Sequence, residues 1–563
     1  MGNQRLHEPS SGERFFQRDA TIEEIQTLIH ENERVPATAW LLAFTGAASQ
    51  FARFGITVTW QNYLQNPQGN PLLPGALGLG QAKATIIQNA FLFFQYLTPL
   101  PFALMSDVWI GRYKTMLICL GLLVTGYVVL VVTSIPSALN HGAGIPGIAI
   151  TMVLIGLGQG GLSAVMYPFI ADQIPITKPQ VKRNKKGELI VTDRKLTIQY
   201  AFNGYYWMVN IAALSSIPTT LMEKHIGFWP TYLLPTCVLV IFIIPVILWN
   251  RQLVKLSPEG NVLPHAGHVL LIAWRSRFRL SAADPKYQES HYGRSVPWSA
   301  SFVDEIRRSL KGCRVIAYFV VFWLCYNQTT NNIISQAGQM TQQGISNDTI
   351  QALNPIACII AGPLIQNVVF PFLRRHRVSF GPIRRMTVAF LFISAGIAYA
   401  AGLQQLIYSR GPCYTNPLEC PAAVQQNTGA RVPNDLSVWL QTPLHFLLAI
   451  GEILGLVSLN EYAYSEAPTN MKAVVQALLE IAAAVAAALG IALGPVSRDP
   501  WLVIMYASLA GACAFSAVTF LAIFRRHDAI YENRDVEDAR DDKGHSEAVK
   551  QGDTQTEQST TPA

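Results

Sequence analysis

Charge is scarce in this chain. Only 14% of its 563 residues are Asp, Glu, Lys or Arg, against roughly a quarter in soluble domains. The shortage is concentrated, since residues 115–135, 386–407 and 501–524 carry no charged side chain at all. An apolar helix of about twenty residues, rising ~1.5 Å per residue, crosses a ~30 Å hydrocarbon core. A soluble globule, a secreted disulfide scaffold and a nucleic-acid binder are thereby excluded. The excess of 42 basic over 35 acidic residues fits loops held on one side of a membrane better than a DNA-binding patch. Cysteine is sparse too, eight in all, with no cluster suggesting zinc. The serine-hydrolase, zinc-protease and P-loop motifs are missing from any suitable context. No enzyme, metal, cofactor, ATP-driven pump or pore-loop channel is expected.

What is present is a succession of hydrophobic segments. Twelve spans are placed near 37–59, 84–104, 114–135, 147–170, 198–220, 228–249, 313–335, 353–373, 385–407, 436–463, 473–493 and 501–524. Each is apolar around most of its circumference, as in a helical bundle facing lipid. The expected fold is an all-α membrane protein. Its divisions are an N-terminal segment 1–36, a six-helix half 37–250, a linker 251–312, a second half 313–527 and a disordered tail 528–563. The first 36 residues lack an apolar run behind a basic start, so no cleavable signal is expected. Thr21 to Glu24 reads as a capping box opening a short helix whose Ile22, Ile25, Leu28 and Ile29 share one face. Phe302 to Arg308 suggests an amphipathic helix leading into span 7.

Basic residues orient the chain. The loop after span 4 holds seven, from Lys178 to Lys195, and the loop after span 8 holds five, from Arg374 to Arg385. The opposite loops together offer Lys83, Lys224, Arg410, Arg431 and Arg498. Both termini are therefore expected in the cytoplasm of a multi-pass protein, in the plasma membrane. Asn347-Asp348-Thr349 reads as a glycosylation sequon in the outer loop after span 7. Cys413 and Cys420 are the two cysteines placed in an outer loop, where a disulfide persists.

A series of motifs runs in order along the membrane region. It begins with Pro74 to Gln81, Asp107 with Gly111-Arg112-Tyr113, and Gly158-Gln159-Gly160-Gly161 with Ala171-Asp172-Gln173. Tyr205 to Asn210, Gly227-Phe228-Trp229 and Trp323 to Gln328 follow, then Gly451-Glu452 and Glu461 to Pro468 with Met471-Lys472. This pattern resembles the proton-dependent oligopeptide transporter family, and its fungal branch in particular. The resemblance implies a major-facilitator fold of two six-helix halves and transport by alternating access. It also implies di- and tripeptides or other small solutes moved inward with protons, by a chain expected to be a monomer. Three places depart from the family frame. Ser49 and Ala52 replace the two acids of span 1 around the retained Arg53, with Gly55, Ile56 and Thr57 in the tyrosine region. Ser163 stands where peptide transporters carry a lysine, and Ala212-Ala213 replace Gly-Ser. Ser49 and Ala52 cannot ionise, so span 1 cannot carry the proton.

The candidate sites follow from what remains. A lone arginine in an apolar span is costly unless it faces a wet cavity or an anionic partner. Arg53 either grips an anionic group of a solute or pairs permanently with Glu452 or another acid. Glu452 matches the family acid that receives a peptide's amino group, with a structural partnership as the alternative. Asn210, Asn327, Gln328 and Tyr326 are candidate cavity residues. Asp107 and Arg112 latch the helix ends, or Arg112 only anchors topology. Glu461 suits gating or capping. Glu480 is either a replacement proton carrier or an interhelical acid, and His445 is expected to bond a helix neighbour. The readings open at this point are a carrier of a peptide, peptide-like or anionic solute with altered proton coupling, a transporter-derived nutrient sensor, and an exporter of a secondary metabolite.

Overall fold

A computed structural model of the chain describes residues 18–19, 24, 28–70, 72–175, 180–183, 189–192, 194–256, 262–277, 279–312, 314–376, 380–425, 431–466 and 472–525. The capping-box residues Thr21 to Glu23 with Ile22 and Ile25, and the tail from 528, lie outside them.

The first half contains α1 (Ala37–Thr57), α2 (Trp60–Gln65), α3 (Gln81–Leu97), α4 (Arg112–Thr133) and α5 (Gly144–Asp172). It is completed by α6 (Arg194–Ala213), α7 (Ser216–His225) and α8 (Phe228–Leu248). The linker supplies α9 (Val262–Arg275) and α10 (Ala300–Gly312). The second half contains α11 (Arg314–Tyr326), α12 (Leu353–Leu364), α13 (Pro382–Tyr408), α14 (Thr442–Glu466), α15 (Lys472–Leu493) and α16 (Leu502–Arg525).

Helix occupies all twelve expected positions, but among the described residues eight helices are both long and apolar enough to cross a membrane. Spans 2, 5 and 7 are interrupted. In span 2, α3 passes through a short helix at Pro99–Leu104 and a π-type turn at Met105–Ile110. In span 5 a turn parts α6 from α7, and in span 7 α11 gives way at Asn327–Thr330. Span 1, α1, is continuous, but Ser49, Gln50 and Arg53 dilute its apolar character. Such interruptions within a membrane protein are tolerated where protein or water, rather than lipid, meets the freed backbone.

Each half has its own buried core. Leu42, Tyr63, Leu120, Phe169 and Tyr232 belong to the first, and Phe319, Phe322, Phe390, Leu448 and Phe520 to the second. Outward-facing Val132, Ile150, Leu248 and Phe515 remain exposed, as expected of a surface solvated by lipid. Glycines set the closest helix approaches. A Cβ on Gly161 of α5 would lie 2.6 Å from Cys119 Sγ on α4, and one on Gly158 would lie 2.8 Å from the Cys119 carbonyl. The glycine-rich run of span 4 is thus a packing surface. Gly111, at φ +82°, turns the chain from the π-type turn into α4, a conformation that glycine adopts without strain.

Among the described residues, two small sheets qualify the all-helical expectation. Strands β1 (Arg18–Asp19), β2 (Ile29–Glu31), β3 (Gln180–Arg183) and β4 (Leu189–Thr192) form one, in the order β1-β3-β4-β2. Ile29, expected on a helix, lies in β2 opposite Ile190. Val181, Ile190 and Val191 bury their β-branched side chains there, so tertiary packing overrides the local helical pattern. The second sheet pairs β5 (Met340–Thr341) with β6 (Asn434–Ser437) beside the Cys413–Cys420 disulfide. This defines a disulfide end of the molecule, opposite the linker end. In the linker, Val303 and Ile306 of α10 pack on Ala266 and Val269 of α9 and on Trp298.

Candidate solute cavity

Between the halves lies a cavity of about 300 Å³, at the small end of the range for solute sites. Arg53 of α1 and Asn210 of α6 reach it from the first half, and Tyr326, Asn327 and Glu452 from the second. Arg53 Nε donates to Gln50 Oε1 at 2.8 Å, and its guanidinium sits 4.0 Å above the Phe54 ring. No carboxylate lies within ion-pair distance of Arg53 among the described residues. Glu452 instead accepts a 2.7 Å bond from the Tyr326 hydroxyl, with Cys358 Sγ at 3.7 Å. The Arg53–Glu452 pair weighed from sequence does not form. The two charges stand on opposite halves of one chamber.

The polar lining is richer than the motifs suggested. Gln88, Gln95 and Tyr96 of α3 and Asn354 of α12 also face the cavity. Residues 88, 91, 92, 95 and 96 recur at helical spacing, and all five line it. Amides on that stripe were the available signal. Tyr96 meets Trp323 across the halves, ring centroids 6.0 Å apart. Asn210 Nδ2 donates to the Tyr206 carbonyl at 2.9 Å, and Asn327 Nδ2 has no partner.

Gln328 corrects the sequence reading. It is buried away from the cavity, where Nε2 donates to the Leu324 carbonyl and Oε1 accepts from Asn332. The break after α11 turns consecutive amides in different directions, so Asn327 lines the chamber and Gln328 braces the turn. His445 is fully buried and neither ring nitrogen has a hydrogen-bond partner, contrary to the expected bond. Glu480, half-buried on α15, takes a long 3.5 Å bond from Gln476 and does not line the cavity.

The disulfide end is closed by bonds between the halves. Gln61 Nε2 donates to Ser335 Oγ at 2.9 Å, and Gln81 and Thr85 each donate to Asn332 Oδ1 at 3.1 Å. Asn62 and Asn347 exchange two amide bonds of 2.8 Å. Asn347 Nδ2 also reaches the Ile334 carbonyl at 3.1 Å, and the residue is 1% exposed. In this conformation the side-chain nitrogen to which a glycan would attach is spent on the closure. At the linker end, Arg112 binds Asp172 through bonds of 2.6 and 2.7 Å and Asp107 at 3.5 Å. Arg385 binds Glu461 at 3.1 Å. Each cluster stays within its own half.

Comparison with known proteins agrees with this geometry. Residues 113–505 match the model of the POT family. The chain is 38% identical over 512 residues to peptide transporter PTR_A of Candidozyma auris, covering 91% of this chain and 85% of that protein. The solved POT family transporter PepTSo superposes with a TM-score of 0.68 at 19% identity, covering 88% of this chain and 99% of PepTSo. A POT family transporter solved in complex with 5-aminolevulinic acid superposes at 0.61 with 16% identity, covering 88% and 97%. The chain belongs to the POT family of the major facilitators, and is a multi-pass membrane transporter rather than an enzyme.

Proposed function

We propose that this transporter carries small zwitterionic solutes, di- and tripeptides foremost, between Arg53 and Glu452. One observation supports this above the rest: an unpaired guanidinium and a carboxylate face the same cavity from different halves. A solute with a carboxylate at one end and an ammonium at the other meets both. The guanidinium offers a two-pronged donor, and Glu452 with Tyr326 offers an acceptor. Asn210, Asn327 and Tyr96 supply amide and aromatic contacts between them. The relatives named peptide transporters and the fold neighbour holding 5-aminolevulinic acid, itself an amine and a carboxylate, are consistent with this choice.

The halves 37–250 and 313–527 rock about the cavity, with linker 251–312 joining them and a single chain as the working unit. The basic loops support an orientation with the linker end and both termini in the cytoplasm, in a protein of the plasma membrane. The conformation is then closed to the outside. Arg112 with Asp107 and Asp172, and Arg385 with Glu461, hold the inner helix ends of each half. Proton coupling does not pass through span 1, where Ser49 bonds the Gly46 carbonyl at 2.7 Å and Ala52 is fully buried. Glu480, carried on the helix that packs against α3, is a candidate for that task.

The test is uptake by the full-length chain in liposomes with a pH gradient, acidic outside. We expect dipeptides to accumulate, unlabelled tripeptides to compete, and nitrate to have no effect. Transport of an amine-free organic anion with no uptake of any peptide would overturn the reading. Glu480→Gln is expected to flatten the pH profile of uptake, and an unchanged profile would return Glu480 to a structural role.

A further inference from the structure

The wall that closes the disulfide end contains two acids that the solute cavity does not use. Glu223 lies on α7, beyond the end of span 5 at 220, and is 3% exposed. Asp348 lies in the loop after span 7, in the other half, and is 0% exposed. The two side chains meet carboxyl to carboxyl across the seam. Asn62 Nδ2 donates to Glu223 Oε1 at 3.1 Å. Among the described residues, Glu223 Oε2 and both Asp348 oxygens have no hydrogen-bond partner.

Lys224 is the titratable cation facing the pair among the described residues, and its Nζ donates to the Ile345 carbonyl at 2.6 Å instead of to either acid. From α8, Tyr232 faces the pair, its hydroxyl accepting from Thr59 at 3.3 Å, and Tyr63 of α2 packs on that ring. Two buried carboxylates in contact do not both stay ionised. One proton between them makes a charge-assisted O–H···O bond, supplies the missing partner and leaves a single negative charge beside Lys224.

We propose that Glu223 and Asp348 form a proton-binding site that exists only while the two halves meet at the disulfide end, so that proton uptake locks that end shut. This rests on the alternating-access reading above but not on the identity of the solute. Burial raises the Asp348 carboxyl above the usual carboxylate range. Opening the seam returns both groups to water and to ordinary values near ~4, and the proton leaves. Closure therefore takes up a proton, and the closed-to-open ratio rises as pH falls, by up to about tenfold per pH unit. The site is absent from the helix 1 motif of the family and offers the transporter a coupling point that survives the loss of those acids.

The experiment follows the distance between labels on exposed His141→Cys and Thr415→Cys, on either side of the seam, in full-length chain carrying Cys237→Ser and Cys313→Ser. The protein is held in lipid nanodiscs without solute between pH 5 and 8. We expect the closed-to-open ratio to rise severalfold between pH 8 and pH 6. Asp348→Asn, which mimics the protonated acid, is expected to stay closed at both pH values. Infrared spectra of the unlabelled chain should contain a protonated-carboxyl band that Glu223→Gln removes, a reading that does not need the labels. A pH-independent distance, an unchanged profile in Asp348→Asn, or closure driven by sodium at fixed pH would each overturn the proposal. Because no solute is present, failure of the peptide reading would leave these outcomes untouched.

Discussion

A carboxylate outside the spans can be judged by what receives its charge. Asp499, in the loop between α15 and α16, accepts from Gln339 Nε2 at 2.8 Å and from the Tyr408 hydroxyl. Burial outweighs those bonds and the carboxyl is pushed up to about 7. Unfolded, it titrates near ~3.9. The folded chain thus holds an extra proton between these values. The group's contribution is full below pH ~4 and is lost as pH rises through 7, by at most ~4 kcal/mol. Thermal unfolding in detergent should show a lower melting temperature at pH 8 than at pH 6, and Asp499→Asn should reduce that difference. An equal pH slope in the variant would contradict the assignment. At this scale the sequence was legible where a charge interrupted an apolar run. Arg53 stood out because it is the one charged residue of span 1, and Glu452 because it lies mid-span in an apolar run. Asp348 did not, because an Asn-x-Thr pattern around it offered a local explanation. Glu223 was hidden at a helix end, where acids are ordinary, and its partner lies 125 residues away. Single-sequence reasoning does not see such a distance.

Helices were legible to the extent that their apolar runs were continuous. α4, α13 and α16 occupy nearly the expected residues. Span 7 read as one helix, whereas the chain breaks at Asn327 to Thr330. A run of amides and threonines competes with the helix for its own backbone bonds. The hairpin of β3 and β4 went unread because its lysines spoke for topology while its valines quietly packed a sheet. Glycine positions offer a direct check on element packing. A Cβ on Gly160 would overlap Thr98 Oγ1 and lie 2.8 Å from the Gln95 carbonyl, whereas Gly121 on α4 has open space. Gly160→Ala should therefore destabilise the chain by about 1–3 kcal/mol, measured as a fall in melting temperature in detergent. Gly121→Ala should cause no loss. Equal effects would mean that α5 does not approach span 2 as described.

For the molecule as a whole, the two cores leave between them a cavity that residues of both halves line. The first half presents Arg53 and the second Glu452, and the two face the same cavity without touching. On the proposed reading, Ser49 and Ala52 remove one route for protons and leave Arg53 and Glu452 facing the cavity. The direct measurement is the affinity of the purified chain for one dipeptide, its N-acetyl form and its C-terminal amide. Wild type would be compared with Arg53→Gln and Glu452→Gln. Glu452→Gln should weaken the free dipeptide roughly tenfold or more, the ~1.4 kcal/mol scale of a lost charge contact, and leave the N-acetyl form at its wild-type affinity. Arg53→Gln should do the same for the free dipeptide while sparing the amide. Variants that weaken all three ligands alike, or none, would contradict the assignment of the two charges to the two ends of the solute.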